Sequence, residues 1–185
     1  MALLGLEKEM ILADGTRCLL RDVGFGDEAQ IFRLEEATAK DALLQGEDPD
    51  PVSLPVAERA QWIRAVRQGE AWLAIAAEVD GRIVGLLEFR SHEYPQLSRH
   101  VGRFFISIEE GFRDRGIGRA AIQLMLDWCR ANPRIEKITL SVLSSNGRAI
   151  ALYEELGFRE EGRKWKEFKL PDGTYADDIL LAIPV

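Results

Sequence analysis

Phe104-Phe105-Ile106-Ser107-Ile108, followed by Glu109 to Phe112 and then Arg113-Asp114-Arg115-Gly116-Ile117-Gly118, is the stretch whose reading decides the fold. Its first five residues are mainly aromatic and aliphatic, as a buried strand requires. Arg113 to Gly118 has the composition of a tight turn, and Arg119 to Arg130 reads as the helix that follows it. At a helix start the first amide N–H groups lack helical acceptors and the macrodipole is positive. Strand, glycine turn and helix start together therefore make a site for a phosphate-bearing ligand. Gly116 and Gly118 let the backbone approach that ligand with no Cβ in the way, and Arg113, Arg115 and Arg119 add fixed positive charge. Taken alone, the same residues also describe an ordinary strand-to-helix loop with solvated arginines. Two familiar phosphate sites fit poorly. Arg119-Ala120 stands where a Walker loop needs Lys-Ser or Lys-Thr. Ala121 replaces the third glycine of a dinucleotide fingerprint, and the turn lies past the middle of the chain rather than early in a βαβ unit.

Outward from this stretch, the chain has room for one well-buried domain over residues 1–185 but not for two comfortable ones. Its apolar and charged fractions are those of a soluble globular protein. No apolar run approaches membrane-spanning length and no charged-then-apolar leader opens the sequence, so a cytoplasmic location and no membrane partner are expected. A formal net charge of −7 argues against a general nucleic-acid binder. Cys18 and Cys129 are too few and too far apart for a disulfide framework or a metal site, so no metal is expected and both read as small core residues.

Three Asp-Gly steps (Asp14-Gly15, Asp80-Gly81 and Asp172-Gly173) join extended runs and signal hairpins over 7–23, 72–89 and 158–183. Asp27 is placed to cap a helix carrying Ile31, Phe32 and Leu34. A second helix is expected over 56–68, and the three-proline segment 45–55 reads as a loop. The helix after the glycine turn buries Ala121 or Ile122, Met125 and Cys129 on one face and is stopped by Asn132-Pro133. A strand over 135–142 and a helix capped by Ser144-Ser145-Asn146 follow. The order gives an α/β fold: a mixed sheet with helices on both faces and antiparallel hairpins at its ends, in which the strands at 101–108 and 135–142 pair in parallel.

Arg113-x-x-Gly116-x-Gly118 after a hydrophobic strand resembles the acyl-CoA pyrophosphate motif of the GNAT N-acetyltransferase superfamily. Asn146-Gly147-Arg148-Ala149-Ile150-Ala151-Leu152-Tyr153-Glu154-Glu155-Leu156-Gly157-Phe158 resembles its second motif. Together, in this order, the two are far more specific than either alone, and the likeness runs from about Glu70 to the C-terminus. It implies a sheet splayed around the pyrophosphate helix, with acetyl-CoA in the cleft. The backbone of Ile106, Ser107 and Ile108 would hold the pantetheine arm. Arg113, Asp114, Arg115, Gly116, Ile117, Gly118 and Arg119 would hold the pyrophosphate, and Asn146 would contact the pantetheine or position a water. Tyr153 stands where the superfamily's thiolate-protonating tyrosine stands.

Acetyl transfer from a thioester to an amine needs a proton acceptor for the amine, stabilisation of an oxyanion and a proton for the leaving thiolate. It needs no nucleophilic side chain, and the chain has no nucleophile elbow or triad company for His92 and His100. Glu88, His100 and Glu109 are the candidate bases, with Glu88 and His100 foremost. Asp48 and Asp50, in the proline-rich loop, are placed to meet a substrate amine or simply to be solvated.

The tail Phe158-Arg159-Glu160-Glu161-Gly162 with Asp172 to Asp178 looks like the bacterial branch acting on free amino acids or similar small amines. Relatives with that tail type also acetylate ribosomal-protein N-termini or polyamines. The expected partner is thus a small-molecule or peptide amine, with a homodimer left open. Phe105 departs from the branch, which has glycine there, and bears on the acceptor pocket. Two other classes stay in play: a non-catalytic acyl-CoA-binding regulatory protein, and a nucleotide-phosphate binder.

Overall fold

Every residue from Leu73 to Ala77 is buried in the strand β3 (Trp72–Val79), a pattern that requires cover on both faces of a sheet. The computed structural model describes residues 5–39, 55–92 and 96–185. Asp48, Asp50 and Tyr94-Pro95 lie outside the described residues. Besides β3, the strands are β1 (Glu7–Ile11), β2 (Arg17–Asp22), β4 (Arg82–Ser91), β5 (Val101–Ile108), β6 (Lys137–Leu143), β7 (Arg159–Lys169) and β8 (Tyr175–Pro184). The helices are α1 (Glu28–Thr38), α2 (Val56–Gln68), α3 (Ile117–Ala131) and α4 (Gly147–Glu155). The eight strands form one sheet in the order β1-β2-β3-β4-β5-β6-β8-β7.

Alternation along β3 divides the interior. Leu73, Ile75, Ala77 and Val79 join the core built with Ile122, Met125 and Cys129 of α3. Ala74 and Ala76 point the other way, into a smaller core with Ile31 and Leu34 of α1 and Ile63 and Val66 of α2. The mixed sheet with helices on both faces is therefore as expected. The hairpin turns follow the Asp-Gly signals: Asp80 and Gly81 both have positive φ, 49° and 74°, the geometry that suits a right-twisted two-residue turn.

Every neighbouring strand pair is antiparallel except β5–β6, which is parallel and short. Its ladder runs through Val101↔Lys137, Gly102↔Ile138 and Arg103↔Thr139, and goes no further. Beyond Arg103 each strand stays paired on its outer side, β5 with β4 as far as Ile108 and β6 with β8 as far as Leu143. The sheet thus opens between β5 and β6 as a V.

Three local details differ from expectation. Asp27 precedes α1, but its side chain does not cap it. The carboxylate instead accepts from both terminal nitrogens of Arg21, at 2.7 and 2.9 Å, and from Gly24 N–H at 2.7 Å. β4 continues two residues past Phe89, because Ser91 still pairs with Gly102. β6 begins at Lys137 rather than Ile135, since the amides of Glu136 and Lys137 are both taken by the His100 carbonyl. Cys18 and Cys129 are free and buried, and burial raises both thiol pKa values, that of Cys18 to about 11. No helix among the described residues is long and apolar enough to cross a membrane, and no group of three or more potential metal ligands occurs among them.

Candidate active site

The opening between β5 and β6 is a cavity of 340 Å³. Phe104 to Ile108 form one wall, Leu140, Ser141 and Val142 of β6 the other, and Thr38 at the end of α1 also borders it. Side chains from both faces of β5 reach this space. Phe104 and Ile106 belong to the α3 side of the sheet, and Phe105 and Ser107, alternating with them, belong to the other. The cleft therefore passes through the sheet.

At its mouth lies the glycine turn. Gly116 has φ of 85°, in the left-handed region where glycine avoids the steric penalty of a Cβ. The first helical bond of α3 runs from Ala120 N–H to the Gly116 carbonyl at 3.0 Å. The amides of Ile117, Gly118 and Arg119, one step earlier, begin the helix without helical acceptors, and all three residues border the cavity. A Cβ on Gly118 would come within 3.3 Å of Ile108 Cδ1, so the missing side chain keeps the helix start close to β5. Arg113 is steered by its Nε, which donates to the Ile108 carbonyl at 2.9 Å. Arg148, on the first turn of α4, reaches Asp114 across the mouth at 3.0 Å. Arg119 is tied to Glu155 of α4. Arg115 turns away: its guanidinium pairs with Asp14 of the first hairpin at 2.6 Å and lies over the Phe112 ring.

From the opposite side α4 presents Asn146 and Tyr153. The Asn146 side-chain oxygen accepts from Ala149 N–H at 3.2 Å, the N-cap expected of it, while the residue also borders the cleft. The Tyr153 ring is clamped edge-on by Phe104 and Phe158, each with its centroid 5.9 Å away. Among the described residues nothing hydrogen-bonds its hydroxyl. Burial pushes the phenol up to about 12, so it stays a neutral donor at ordinary pH.

Of the candidate bases, Glu88 is half-buried and pairs across the strands with Phe105. It borders a second cavity, lined in part by α2, rather than the cleft itself. His100 is exposed on the turn before β5 and borders neither cavity. Glu109 is held by Arg33, at 3.1 Å, and by Arg82. Sequence reasoning passed over Arg148 and Ser141. Arg148 lay inside the quoted second motif, so its charge was a usable signal. Ser141 donates to Asp178, a buried carboxylate that also pairs with Lys164 at 3.1 Å; only the three-dimensional neighbourhood reveals that link.

The model of the acetyltransferase (GNAT) family matches residues 33–158, starting well before Glu70. The chain is 32% identical to an L-amino acid N-acetyltransferase of Escherichia coli (strain K12) over 58% of its own length and 65% of that protein's. It is 33% identical to the ribosomal protein bS18-alanine N-acetyltransferase of the same organism over 44% of its length and 54% of that protein's. It thus spans less than two thirds of either relative. The structure of a GNAT-family acetyltransferase from Streptococcus pneumoniae superposes with a TM-score of 0.85 at 21% identity, covering 91% of this chain and 99% of that one.

Proposed function

The chain belongs to the acetyltransferase (GNAT) family, and from that premise we propose that it transfers an acetyl group from acetyl-CoA to the primary amine of a free amino acid or similar small molecule. The observation that carries this is the cleft between β5 and β6, with a glycine-arginine turn at its mouth and Tyr153 among the residues that line it. The residues fit a diphosphate-bearing thioester: α3 offers helix-start amides, Gly118 leaves the approach open, and Arg113, Arg119 and Arg148 border the same space. Bound there, acetyl-CoA supplies an activated acetyl group.

The protein supplies position and proton traffic. In the net reaction an N–C bond replaces a C–S bond, one proton leaves the amine and one is gained at sulfur. Tyr153 is the donor for the sulfur, kept protonated by its burial. Glu88 is the acceptor for the amine proton, directly or through a water, because its cross-strand partner Phe105 borders the cleft. His100 borders neither cavity, which favours Glu88 over it. A tyrosine lining the cleft, with no hydrogen bond to its hydroxyl among the described residues, favours an enzyme over a non-catalytic acyl-CoA-binding protein. A cytoplasmic setting and one catalytic domain over residues 1–185 belong to the same reading.

Incubation with acetyl-CoA and a panel of amines, followed by free-thiol release and mass spectrometry of the acceptor, tests it. Amine-dependent thiol release with an acetylated product is the expected result. Thiol release that no amine stimulates would remove the assignment.

A further inference from the structure

The second cavity, of 660 Å³, is bordered by two arginines that stand face to face. Arg90 of β4 and Arg103 of β5 are direct cross-strand partners, so their side chains leave the sheet on the same face. Like charges directly opposite one another destabilise a strand pair. The chain has 31 acidic residues against 24 basic ones, yet among the described residues none forms an ion pair with either arginine. Both guanidiniums are instead spread over aromatic faces, Arg90 over Trp72 at 5.1 Å and Arg103 over Phe105 at 5.0 Å. Trp72, Arg90 and Arg103 form one row across three strands, and Glu88 and Phe105 form the row beside it. Trp62 of α2 closes the same cavity.

We infer that this cavity is the acceptor site and that it selects a primary amine carrying a carboxylate and an aromatic or bulky apolar side chain. Two guanidiniums on one face offer forked donors to a carboxylate, the ion-pair partner that no described residue provides. Trp62, Trp72 and Phe105 give the apolar surface, with Phe105 39% exposed. Phe105 borders this cavity and the cleft alike. A carboxylate held in the arginine row leaves an α-amine, two bonds from the carboxylate carbon, in the row of Glu88 and Phe105. That is the border between the two spaces. A polyamine would meet two repelling charges there, and a neutral amine would leave them unanswered.

Only the fate of the amine rests on the N-acetyltransferase reading; binding does not. The test is therefore calorimetry on the full chain with saturating CoA, which cannot transfer an acetyl group, using L-phenylalanine, L-phenylalaninamide and spermidine as probes. Phenylalanine should bind, the amide about tenfold more weakly or worse, and spermidine not measurably. Arg90→Gln and Arg103→Gln should each weaken phenylalanine by about tenfold or more, leave the amide unchanged and leave CoA affinity intact, the last showing that the fold survives. Failure of phenylalanine to bind, equal affinity for acid and amide, or phenylalanine binding unchanged in both variants would overturn the inference. Replacing CoA with acetyl-CoA then tests the enzyme separately. Phenylalanine that binds through the arginines but is never acetylated, while another amine is, leaves the carboxylate-binding site standing and overturns its role as the acceptor site; failure with every amine removes the transferase assignment instead.

Discussion

The ring of Phe89 on β4 lies directly over Gly102 on β5: a Cβ built on Gly102 would stand 2.0 Å from Cζ and 2.3 Å from Cε2. Phe89 has no room to retreat, being 2% exposed and packed edge-on against Trp128 at 5.8 Å. Gly102 is also the middle residue of the three-pair parallel ladder at the base of the cleft. Gly102→Ala should therefore destabilise the protein by about 3 kcal/mol, at the upper end of ordinary overpacking. Urea denaturation checks this; a variant as stable as the parent would mean that the ring relocates at little cost.

Gly118→Asp acts at the other end of β5. The new Cβ meets the tips of Ile108 at 3.3 Å, Leu152 at 3.7 Å and Ile106 at 4.0 Å, flexible ends that can give way, so the fold should hold. The carboxylate, however, enters the space where helix-start amides and arginines favour an anion. Affinity for acetyl-CoA should fall by roughly tenfold or more, about 1.4 kcal/mol. Calorimetry showing unchanged affinity would detach this turn from diphosphate binding.

How much of this was readable beforehand depended on how local the cause was. The Asp-Gly turns and the Asn146 cap are set by a few neighbouring residues, and the structure has each where the sequence put it. The Arg115 side chain finds its partner, Asp14, in the first hairpin, and no local signal records that pairing. As a helix-preceding aspartate Asp27 has the composition of a cap, but Arg21 competes for the carboxylate from the adjacent strand. The opposition of Arg90 and Arg103 needs the β4–β5 register, which hydrophobic alternation alone does not fix to the residue. Phe105 stood out in the sequence as a departure from its branch, but its place between two cavities emerges only with the splay of β6.

The Arg21–Asp27 pair makes a prediction for stability and pH. Burial pushes the Asp27 carboxyl upward, but hydrogen bonds from Arg21 and Gly24 and the Arg21 charge outweigh it and hold the pKa below the usual 3.8. The unfolded chain then binds the proton more readily than the folded one. The pair's contribution is present above the unfolded value and is lost as pH falls through the lowered folded value. Asp27→Asn should cost about 2 kcal/mol at pH 7, moderated because Arg21 keeps Glu78 at 2.8 Å. Denaturation curves from neutral pH to pH 3 should show the gap between parent and variant shrinking with acid. A gap independent of pH would assign the loss to packing alone.

Tyr153→Phe separates the chemical role of the tyrosine from its packing. The ring is fixed by Phe104 and Phe158, and a phenylalanine keeps both edge contacts, so the cleft and its affinity for acetyl-CoA should barely change. What disappears is one hydroxyl, which has no partner among the described residues and is therefore spent on no structural bond there. Loss of a general acid slows the chemical step by about a hundredfold to ten-thousandfold. A thiolate leaves readily even unprotonated, which places the expected effect near the lower end. The pH profile supplies an independent readout. A donor works only while protonated, and burial raises this phenol from 10.0 to about 12. The parent should therefore show no loss of kcat/KM from phenol ionisation between pH 7 and about 10, whatever limb the amine or its base produces on the acidic side. Single-turnover measurements, which product release cannot mask, should show the variant slow across that range with unchanged acetyl-CoA binding, as removal of an interaction made only in the transition state requires. Wild-type single-turnover rates in the variant would reduce Tyr153 to a packing residue and leave the proton at sulfur to solvent.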